Sequence, residues 1–453
     1  MRNQHSRNVC SAITSLYLAA LLCLYLLYPG QGYQSITVQK WQLYLWLTGI
    51  YAAAALLARL ELALVGAAPL PSPRGLGSAL SPPHWLFLGY LLVTALSAAL
   101  SEHRPTALWG SVRCEGLAAI TLYVVSFLLV SAYARPRRWM LWLFAAAISV
   151  NCVICLIQFA GYNPLHLYPE GMNYYGAYKQ YAGEFLGTIG NVDILSAVLS
   201  LSIPAFCAAL LRGKGDRLRF LLPAPMILCL IVLLKAFVAG GVLGVGGALV
   251  LSAPLLCEGK TARKRAALGV ACGIVLFAVA VYAFGGRMGG FLYEASELMR
   301  GRWDDDFGSG RLYIWRNALA LVPEHPLFGG GPDTLGLRTD AAFERYDEAL
   351  GILIHSSIDT AHNEYLNILV NQGAAALALY LAALIASAVR WVRRCADEPV
   401  TAVCGCAILG YCIQAFFGIS SPISTPYFWM ALALLNPMRH STEPSTGIKR
   451  RSK

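Results

Sequence analysis

Charged residues are scarce in this sequence, and their scarcity excludes a soluble protein. Only 13% of the 453 residues are Asp, Glu, Lys or Arg, whereas 57% are hydrophobic. The mean hydropathy is +0.56. A surface made from this composition would offer water too few polar groups, so we predict a polytopic membrane protein that lies in the lipid bilayer.

Cysteine is missing from the two segments that are polar enough to lie outside a membrane. None of the 13 cysteines falls in Gly161 to Leu186 or in the long polar stretch from Gly286 to Ala361. Cys404 and Cys406 are too close together in sequence to form a metal knuckle. The sequence therefore supports neither a disulfide framework nor a zinc site, and we expect no bound metal and no cofactor.

Long apolar runs, by contrast, are abundant. A helix needs roughly 20 apolar residues to cross the hydrocarbon layer, and about 12 runs of that length are bounded by Gly, Pro or charge. The fold class that we predict is an all-α polytopic membrane domain over residues 1–438, followed by a basic cytoplasmic tail at 439–453. The first run resembles a signal peptide without a small-residue cleavage site, so we expect an uncleaved helix. The runs are centred near Ala20, Thr48, Leu92, Val124, Ser149, Leu201, Leu228, Gly247, Phe277, Leu379, Leu409 and Met430.

Lys and Arg collect in alternate loops, which predicts the orientation of the chain. The net charge of +11 would suggest nucleic acid in a soluble protein, but here the basic residues lie in short runs between apolar segments. Positively charged loops tend to remain cytoplasmic, so we predict a multi-pass cell-membrane protein with both termini cytoplasmic and no nucleic-acid partner. The stretch 286–361 then forms a large extracytoplasmic loop between helices 9 and 10.

Within this loop, an arginine lies on a short predicted helix. Ser309 can cap a helix that starts near Arg311, and Arg311 then shares a face with Trp315 at the i, i+4 spacing. Apolar residues on its sides and a stop at Pro323 suit a helix on the outer membrane surface, where arginine can meet a lipid phosphate. The alternative is that Arg311 only snorkels at the interface.

A histidine opens the tenth predicted helix. A side chain that titrates near neutrality can take a proton from a hydroxyl, so His362 is a candidate catalytic residue. Asp359 could orient its ring from the loop side, and Asn363 is a neighbour at the same level. Glu364 is a poorer candidate for that role, because residues two apart do not share a helix face. The alternative is that His362 is a simple helix-start residue.

Gly329 to Gly331 form a glycine triplet that is not a phosphate loop. The triplet lacks a following Lys-Ser/Thr pair and a preceding strand, so we predict a turn that allows close approach of two backbones. Asp304 to Asp306 are more typical of a solvated charge run than of a metal site, because they lack spaced partners.

At these residues the chain resembles the O-antigen ligase and polymerase superfamily of multi-span glycan-transferring enzymes. The resemblance covers roughly Trp109 to Gly373 and rests on the order of several stretches rather than on one strong motif. The stretches are Trp109-Gly-Ser-x-Arg113-x-Glu-Gly116, Gly187-Thr-Ile-Gly-Asn191, Gly308-Ser-Gly-Arg311 with Trp315, Pro326-Leu-Phe-Gly329-x-Gly331, Ala361-His362-Asn363-x-x-Leu366 and Asn371-Gln-Gly373.

The resemblance implies a metal-independent transfer on the outer face of the cytoplasmic membrane. The donor would be a glycan on an undecaprenyl-pyrophosphate carrier, and the acceptor a hydroxyl of another glycan or glycolipid. By this analogy, Arg311 would bind the pyrophosphate and His362 would activate or position the acceptor hydroxyl. The candidate substrate-binding residues are Arg113, Lys235, Trp315, Asp359, Asn363 and Glu364.

The sequence departs from the superfamily pattern at one point. Members commonly carry a Ser-Arg-Gly-like stretch where this chain has Ala239-Gly240-Gly241, so a second cation is missing. Lys235, about one helical turn earlier, or Arg113 can substitute for it. Lys235 is equally well explained as a residue that snorkels near the outer end of its helix.

Two other classes of protein stay open. A secondary transporter or lipid-linked glycan flippase would also have many spans, but such transporters often show two related halves and polar residues at mid-membrane. This sequence has few charges within its apolar runs, shows no half-repeat by eye, and concentrates its polar residues in one loop. That distribution favours catalysis. A structural or sensing membrane protein is the third possibility.

Overall fold

The computed structural model describes residues 2–65, 73–176, 185–213, 215–347 and 352–438, and most of its regular structure is helical. The first helix continues as a π-helical turn over Ala20–Tyr25. The helices are α1 (Arg2–Ala19), α2 (Ile36–Leu64), α3 (Pro73–Ala79), α4 (Pro82–Leu100), α5 (Arg104–Trp109), α6 (Leu117–Tyr133), α7 (Arg138–Phe159), α8 (Val192–Arg212), α9 (Pro223–Ala236), α10 (Ala239–Leu256), α11 (Lys260–Phe284), α12 (Phe291–Met299), α13 (Phe307–Ala320), α14 (Leu335–Arg338), α15 (Glu364–Arg394), α16 (Pro399–Ala415) and α17 (Thr425–Leu435).

Nine helical segments within the described ranges are long and apolar enough to cross a membrane. Three further apolar helices, α6, α16 and α17, have only 10–17 residues. Every predicted centre lies in one of these segments, and an all-α polytopic membrane protein is confirmed. The count of 12 spans is not confirmed, because a helix of 17 residues rises only about 25 Å, less than the roughly 30 Å of a hydrocarbon core. The predicted tail at 439–453 lies outside the described residues.

The centre of the bundle is α8. In the most apolar 18-residue stretch of α8, 83% of the residues are buried inside the protein, whereas only 6% are buried in the corresponding stretch of the segment that contains α11. Helices α10 and α16 press against α8 at glycines: a Cβ at Gly410 would lie 2.0 Å from the carbonyl oxygen of Ser200, and one at Gly244 would lie 2.8 Å from the Ser200 hydroxyl. These three helices therefore pack with their backbones close together.

Helix α15 is interrupted at Gly373, and the predicted glycine turn at 326–331 packs against the break. Gly373 has φ 87° inside the helix, and the turn at 326–331 supplies the hydrogen bonds that the break removes. The amide of Gly331 donates to Asn371 O at 2.8 Å, and the amide of Ala374 donates to Pro326 O at 2.9 Å. The sequence correctly predicts this close approach, since a Cβ at Gly329 would lie 2.4 Å from the Asn371 carbonyl carbon. The turn thus ties the loop to the N-terminal part of α15.

The loop before α15 has a small apolar core of its own, which places α13 against the start of α15. It also contains a hairpin that the sequence did not predict, in which β3 (Ala342–Asp347) pairs antiparallel with β4 (Ile352–Ser357). A second short pair joins β1 (Phe185–Leu186) to β2 (Gly190–Asn191), just before α8. The buried residues of the loop core are Ile314, Ala318, Leu321, Leu335, Ile358, Ala361 and Val370.

Candidate active site

His362 lies one residue before the N-cap of α15. The side chain of Asn363 accepts a hydrogen bond from Leu366 N at 3.1 Å, which fixes the first turn of the helix. His362 itself has φ 46°, in the left-handed region that non-glycine residues seldom occupy. This backbone shape points the chain sharply into the helix and leaves the imidazole only partly buried. Strained positions of this kind cluster at functional sites.

Four charged groups, each from a separate segment of the chain, act on the imidazole of His362. Burial lowers the pKa of His362 from its usual value near 6.5. The charges of Arg113 and Arg311 lower this pKa further, and those of Asp193 and Asp359 oppose the shift. Because the net shift is downward, the imidazole is neutral at pH 7 and has an unprotonated ring nitrogen.

Arg311 begins the regular part of α13. The three residues before it, Gly308, Ser309 and Gly310, all have positive φ, so the expectation that Ser309 caps the helix is not met: within the described residues no hydrogen bond to the Ser309 side chain is found. The three left-handed residues instead direct the Gly308 carbonyl toward the Arg311 side chain, and Arg311 Nη1 donates to Gly308 O at 2.8 Å.

The rest of the Arg311 guanidinium group is loosely held. Arg311 Nη2 lies 3.9 Å from Asp193 Oδ1, longer than a hydrogen bond. Arg311 Nε is buried and, among the described residues, has no hydrogen-bond partner. The side chain is 18% exposed. A buried N–H without an acceptor costs about 1–3 kcal/mol, so a further acceptor at Arg311 Nε would be stabilising.

Asp193 is a site residue that the sequence reasoning missed. It lies in the first turn of α8, where the side chain of Asn191 caps the helix by accepting from Asp193 N at 2.9 Å. A carboxylate is favoured at a helix N-terminus by the helix dipole. The available signal was an acidic residue two positions after the Gly187 to Asn191 stretch, at the start of an otherwise apolar run.

Arg113 is held beside the histidine by Asp359. Arg113 Nε donates to Asp359 Oδ2 at 2.8 Å, and Arg113 Nη2 donates to Asp359 Oδ1 at 3.3 Å. The pair is bidentate, with side chains 24% and 31% exposed. Among the described residues no hydrogen bond joins Asp359 to His362, so Asp359 acts on the imidazole through its charge and does not orient the ring as the sequence suggested.

The loop that carries Arg113 is anchored by a second residue that the sequence reasoning missed. Asp333 follows the glycine turn, and its Oδ2 accepts from Ser111 N at 2.6 Å and from Glu115 N at 3.2 Å. Burial raises the pKa of Asp333 to about 6, against the effect of these backbone donors. The turn at 326–331 therefore positions both sides of the site, through α15 and through Arg113.

Trp315 supports the backbone next to the histidine. Its indole Nε1 donates to Ala361 O at 3.0 Å, and its ring meets Phe416 edge-on at 5.5 Å. Trp315 and Arg311 are four residues apart on α13, and both lie near His362: Trp315 bonds the preceding carbonyl, and the charge of Arg311 acts on the imidazole. In this structure Trp315 contacts the backbone immediately before His362.

Two of the candidate residues point elsewhere. Glu364 is buried in the bundle, where it accepts from the hydroxyl groups of Tyr380 at 2.5 Å and Tyr411 at 3.0 Å. Lys235 is exposed, and its ammonium group lies 5.2 Å from the centre of the Phe159 ring. These surroundings match a structural carboxylate and a snorkelling lysine.

The missing cation near Gly240 has a packing explanation. A Cβ at Gly240 would lie 2.9 Å from the Cβ of Phe417, and one at Gly241 would lie 2.7 Å from the Cβ of Ser196. The start of α10 is therefore pressed against α8 and the segment after α16. An arginine at Gly240 would require these backbones to move apart.

The comparison with known families supports the resemblance seen in the motifs. Residues 224–381 match the family model described as O-antigen ligase. The matched region includes Arg311, Trp315 and His362, whereas Arg113 and Asp193 lie upstream of it. No curated protein matches the chain. Over residues 224–381, about a third of the chain, the protein is similar to the O-antigen ligase family, and this match supports the resemblance to that superfamily.

Proposed function

We propose that this protein transfers a glycan from an undecaprenyl-pyrophosphate carrier to a hydroxyl of an acceptor glycan or glycolipid on the outer face of the cytoplasmic membrane. The observation that carries the proposal is the juxtaposition of a neutral imidazole with a loosely held guanidinium group at the start of α15. The first suits a base for a hydroxyl, and the second suits an anion that develops during the reaction.

In the proposed reaction, the acceptor hydroxyl attacks the anomeric carbon of the donor sugar. The unprotonated ring nitrogen of His362 takes the hydroxyl proton as the new glycosidic bond forms. The bond between the anomeric carbon and the pyrophosphate oxygen breaks, and the carrier leaves as undecaprenyl pyrophosphate. The proton then passes from His362 to solvent or to the released pyrophosphate, which restores the neutral imidazole.

Arg311 is proposed to bind the leaving pyrophosphate. Its Nε has no acceptor among the described residues, and its contact with Asp193 at 3.9 Å is weak enough to be exchanged. A phosphate group can supply two acceptor oxygens to the planar guanidinium group. Binding therefore satisfies a buried N–H that has no acceptor among the described residues, and it lowers the free energy of the departing pyrophosphate, which gains a negative charge as the C–O bond breaks.

Arg113 is proposed as the second cation that the Ala239-Gly240-Gly241 stretch does not provide. Its charge acts on the imidazole of His362, and its partner Asp359 keeps it in place. Lys235 is a weaker candidate because it packs on Phe159. Two guanidinium groups can meet the charge of the leaving group, so the proposed transfer does not require a metal ion.

The experiment that tests this function separates transfer from transport. Purified protein in proteoliposomes is supplied with a labelled undecaprenyl-pyrophosphate-linked glycan and an acceptor glycolipid in the same bilayer. We expect a new glycosidic bond, found by mass spectrometry, together with stoichiometric release of undecaprenyl pyrophosphate. Movement of the labelled donor across the bilayer without a new bond would instead assign the protein to the transporter and flippase class.

A further inference from the structure

A long apolar cleft lies at the end of α8 that is remote from the candidate active site. It has a volume of about 370 Å³, and it is lined by Leu201, Ala205 and Ala209 of α8 together with residues of α7, α16 and α17. Asp193 and Gly213 stand at opposite ends of α8, and 20 residues of helix at about 1.5 Å each separate them by about 30 Å. The cleft therefore opens at the membrane surface opposite the active site.

The mouth of this cleft is basic. Arg137, Arg138 and Arg219 line it, and Asp216 is the acidic residue among them. Arg138 Nη1 lies 3.7 Å from Asp216 Oδ1, which leaves the mouth with a net positive charge. Basic pockets between transmembrane helices at the cytoplasmic surface bind anionic head groups. The position and charge of the mouth therefore match a phosphate at the level of the lipid head groups.

The interior of the cleft suits hydrocarbon. Its volume equals that of about a dozen water molecules at about 30 Å³ each, but its walls are mainly aliphatic and aromatic. Tyr427 lines the cleft, and its hydroxyl is already used, since it donates to Leu21 O at 3.3 Å. Water in such a space would lack partners, and a peptide would leave its backbone polar groups unpaired, whereas an acyl chain satisfies apolar walls.

We propose that this cleft binds an anionic diacyl phospholipid, with an acyl chain along α8 and the phosphate at Arg137 and Arg219. The site is separate from the glycan-transfer site and does not depend on the proposed function. Arg138 is partly neutralised by Asp216, so Arg137 and Arg219 carry most of the preference for a negatively charged head group.

The test measures lipid binding to the full-length protein in detergent by native mass spectrometry. Phosphatidylglycerol and phosphatidylcholine with identical acyl chains are titrated in parallel. We expect the wild-type protein to bind phosphatidylglycerol at least about tenfold more tightly. The double variant Arg137→Gln/Arg219→Gln should lose this preference. The matched control is Arg135→Gln, because Arg135 belongs to the same loop but its Nη1 donates to Asn8 Oδ1 at 2.9 Å; it should retain the preference.

A second variant tests the apolar part of the site. Val403 lines the cleft, so Val403→Trp should fill it and weaken binding of both lipids, while size-exclusion behaviour and thermal unfolding confirm that the protein is folded. Equal binding of the two lipids by the wild-type protein would overturn the proposal. So would undecaprenyl phosphate binding more tightly than phosphatidylglycerol with the same dependence on Arg137 and Arg219, since the cleft would then belong to the carrier.

Discussion

Glu364 and His362 stand two residues apart at the start of α15, yet their surroundings are opposite. The carboxylate of Glu364 is 5% exposed and accepts from two tyrosine hydroxyls, those of Tyr380 and Tyr411. His362 faces charges contributed by two helices and two loops, and the guanidinium group of Arg311 has a buried N–H without an acceptor among the described residues. The carboxylate of Glu364 has hydrogen-bond donors within the protein, whereas the guanidinium group of Arg311 beside His362 has an N–H that finds no acceptor among the described residues.

This contrast distinguishes two kinds of polar group in a membrane protein: those that stabilise the helix bundle, and those that lack a partner within the protein. A buried polar network that is fully satisfied holds helices together, and here Glu364 joins the two parts of α15 to α16. A partly satisfied group at the membrane surface is costly, and its cost is recovered when a substrate supplies the missing partner. Substitutions should therefore reduce stability at Glu364 and reduce glycan transfer at Arg311, Arg113 and His362.

The largest effect is expected at Arg311. Arg311→Ala removes the proposed pyrophosphate ligand and should lower the transfer rate by about 1,000-fold, the scale seen when a donor to a developing anion is lost. Arg311→Lys should restore only part of the rate, because an ammonium group lacks the planar pair of N–H groups. The rate is measured as glycosidic bond formation in proteoliposomes.

The matched control for this variant is Arg316→Ala on the same helix. Arg316 is 65% exposed and pairs with Asp305 at 2.6 Å, so its loss should leave the transfer rate within about twofold. Equal losses at both positions would mean that α13 needs basic residues in general, and the assigned role of Arg311 would be wrong.

The next largest effect is a loss of stability at Glu364. Glu364→Ala leaves the Tyr380 hydroxyl without its acceptor and leaves the Tyr411 hydroxyl with only Thr425 Oγ1 at 3.2 Å, where a buried group without an acceptor costs about 1–3 kcal/mol. We expect a lower midpoint of thermal unfolding in detergent, with the transfer rate per folded molecule almost unchanged. Glu364→Gln keeps an acceptor and should unfold close to the wild type. A variant that is stable but inactive would place Glu364 in the chemistry instead.

Arg113→Gln should have a smaller effect on rate and a measurable effect on pH dependence. Activity requires the neutral imidazole, so it should fall as the pH drops through the pKa of His362, which burial and nearby cations hold below about 6.5. Removing Arg113 removes one of the charges that lower this pKa, so the acidic limb of the pH–rate profile should move to higher pH. The rate at pH 7.5 should fall about tenfold. If the acidic limb of the profile does not move, the charge of Arg113 has no effect on the pKa of His362.

The smallest effect is expected at Lys235. Lys235→Gln should change the transfer rate by less than about twofold, since its ammonium group packs on Phe159 and snorkelling lysines tolerate replacement. The comparison with Arg113→Gln decides which residue supplies the second cation. A larger loss for Lys235→Gln than for Arg113→Gln would exchange their assignments.

The sequence predicts the elements of this fold better than the connections between them. Apolar runs and the glycine turn are local patterns, and each has a counterpart in the structure. His362 and Arg311 could be selected because titratable residues near hydrocarbon are unusual. Asp193 and Asp333 were missed because each acts on a residue more than 100 positions away, Asp193 on Arg311 and Asp333 on Ser111. No local pattern encodes such pairings.

The fate of Glu364 shows the same limit. The spacing correctly separates Glu364 from the helix face of His362. The sequence does not show that the hydroxyls of Tyr380 and Tyr411 donate to the Glu364 carboxylate. The β3–β4 hairpin was not predicted, because its strands are short and lie within a stretch that is polar overall. Conversely, the close packing at Gly240 and Gly241 explains the absent cation only when the neighbouring helices are seen.

The central claim is that His362 accepts the proton of the acceptor hydroxyl. The most direct measurement compares the rate of glycosidic bond formation for His362→Ala and His166→Ala in identical proteoliposomes. His166 is an exposed histidine that also has a positive φ, 51°, so it controls for replacing a histidine at a left-handed position. We predict loss of at least about 100-fold for His362→Ala and no more than about twofold for His166→Ala. Wild-type transfer by a correctly inserted His362→Ala protein would contradict the account.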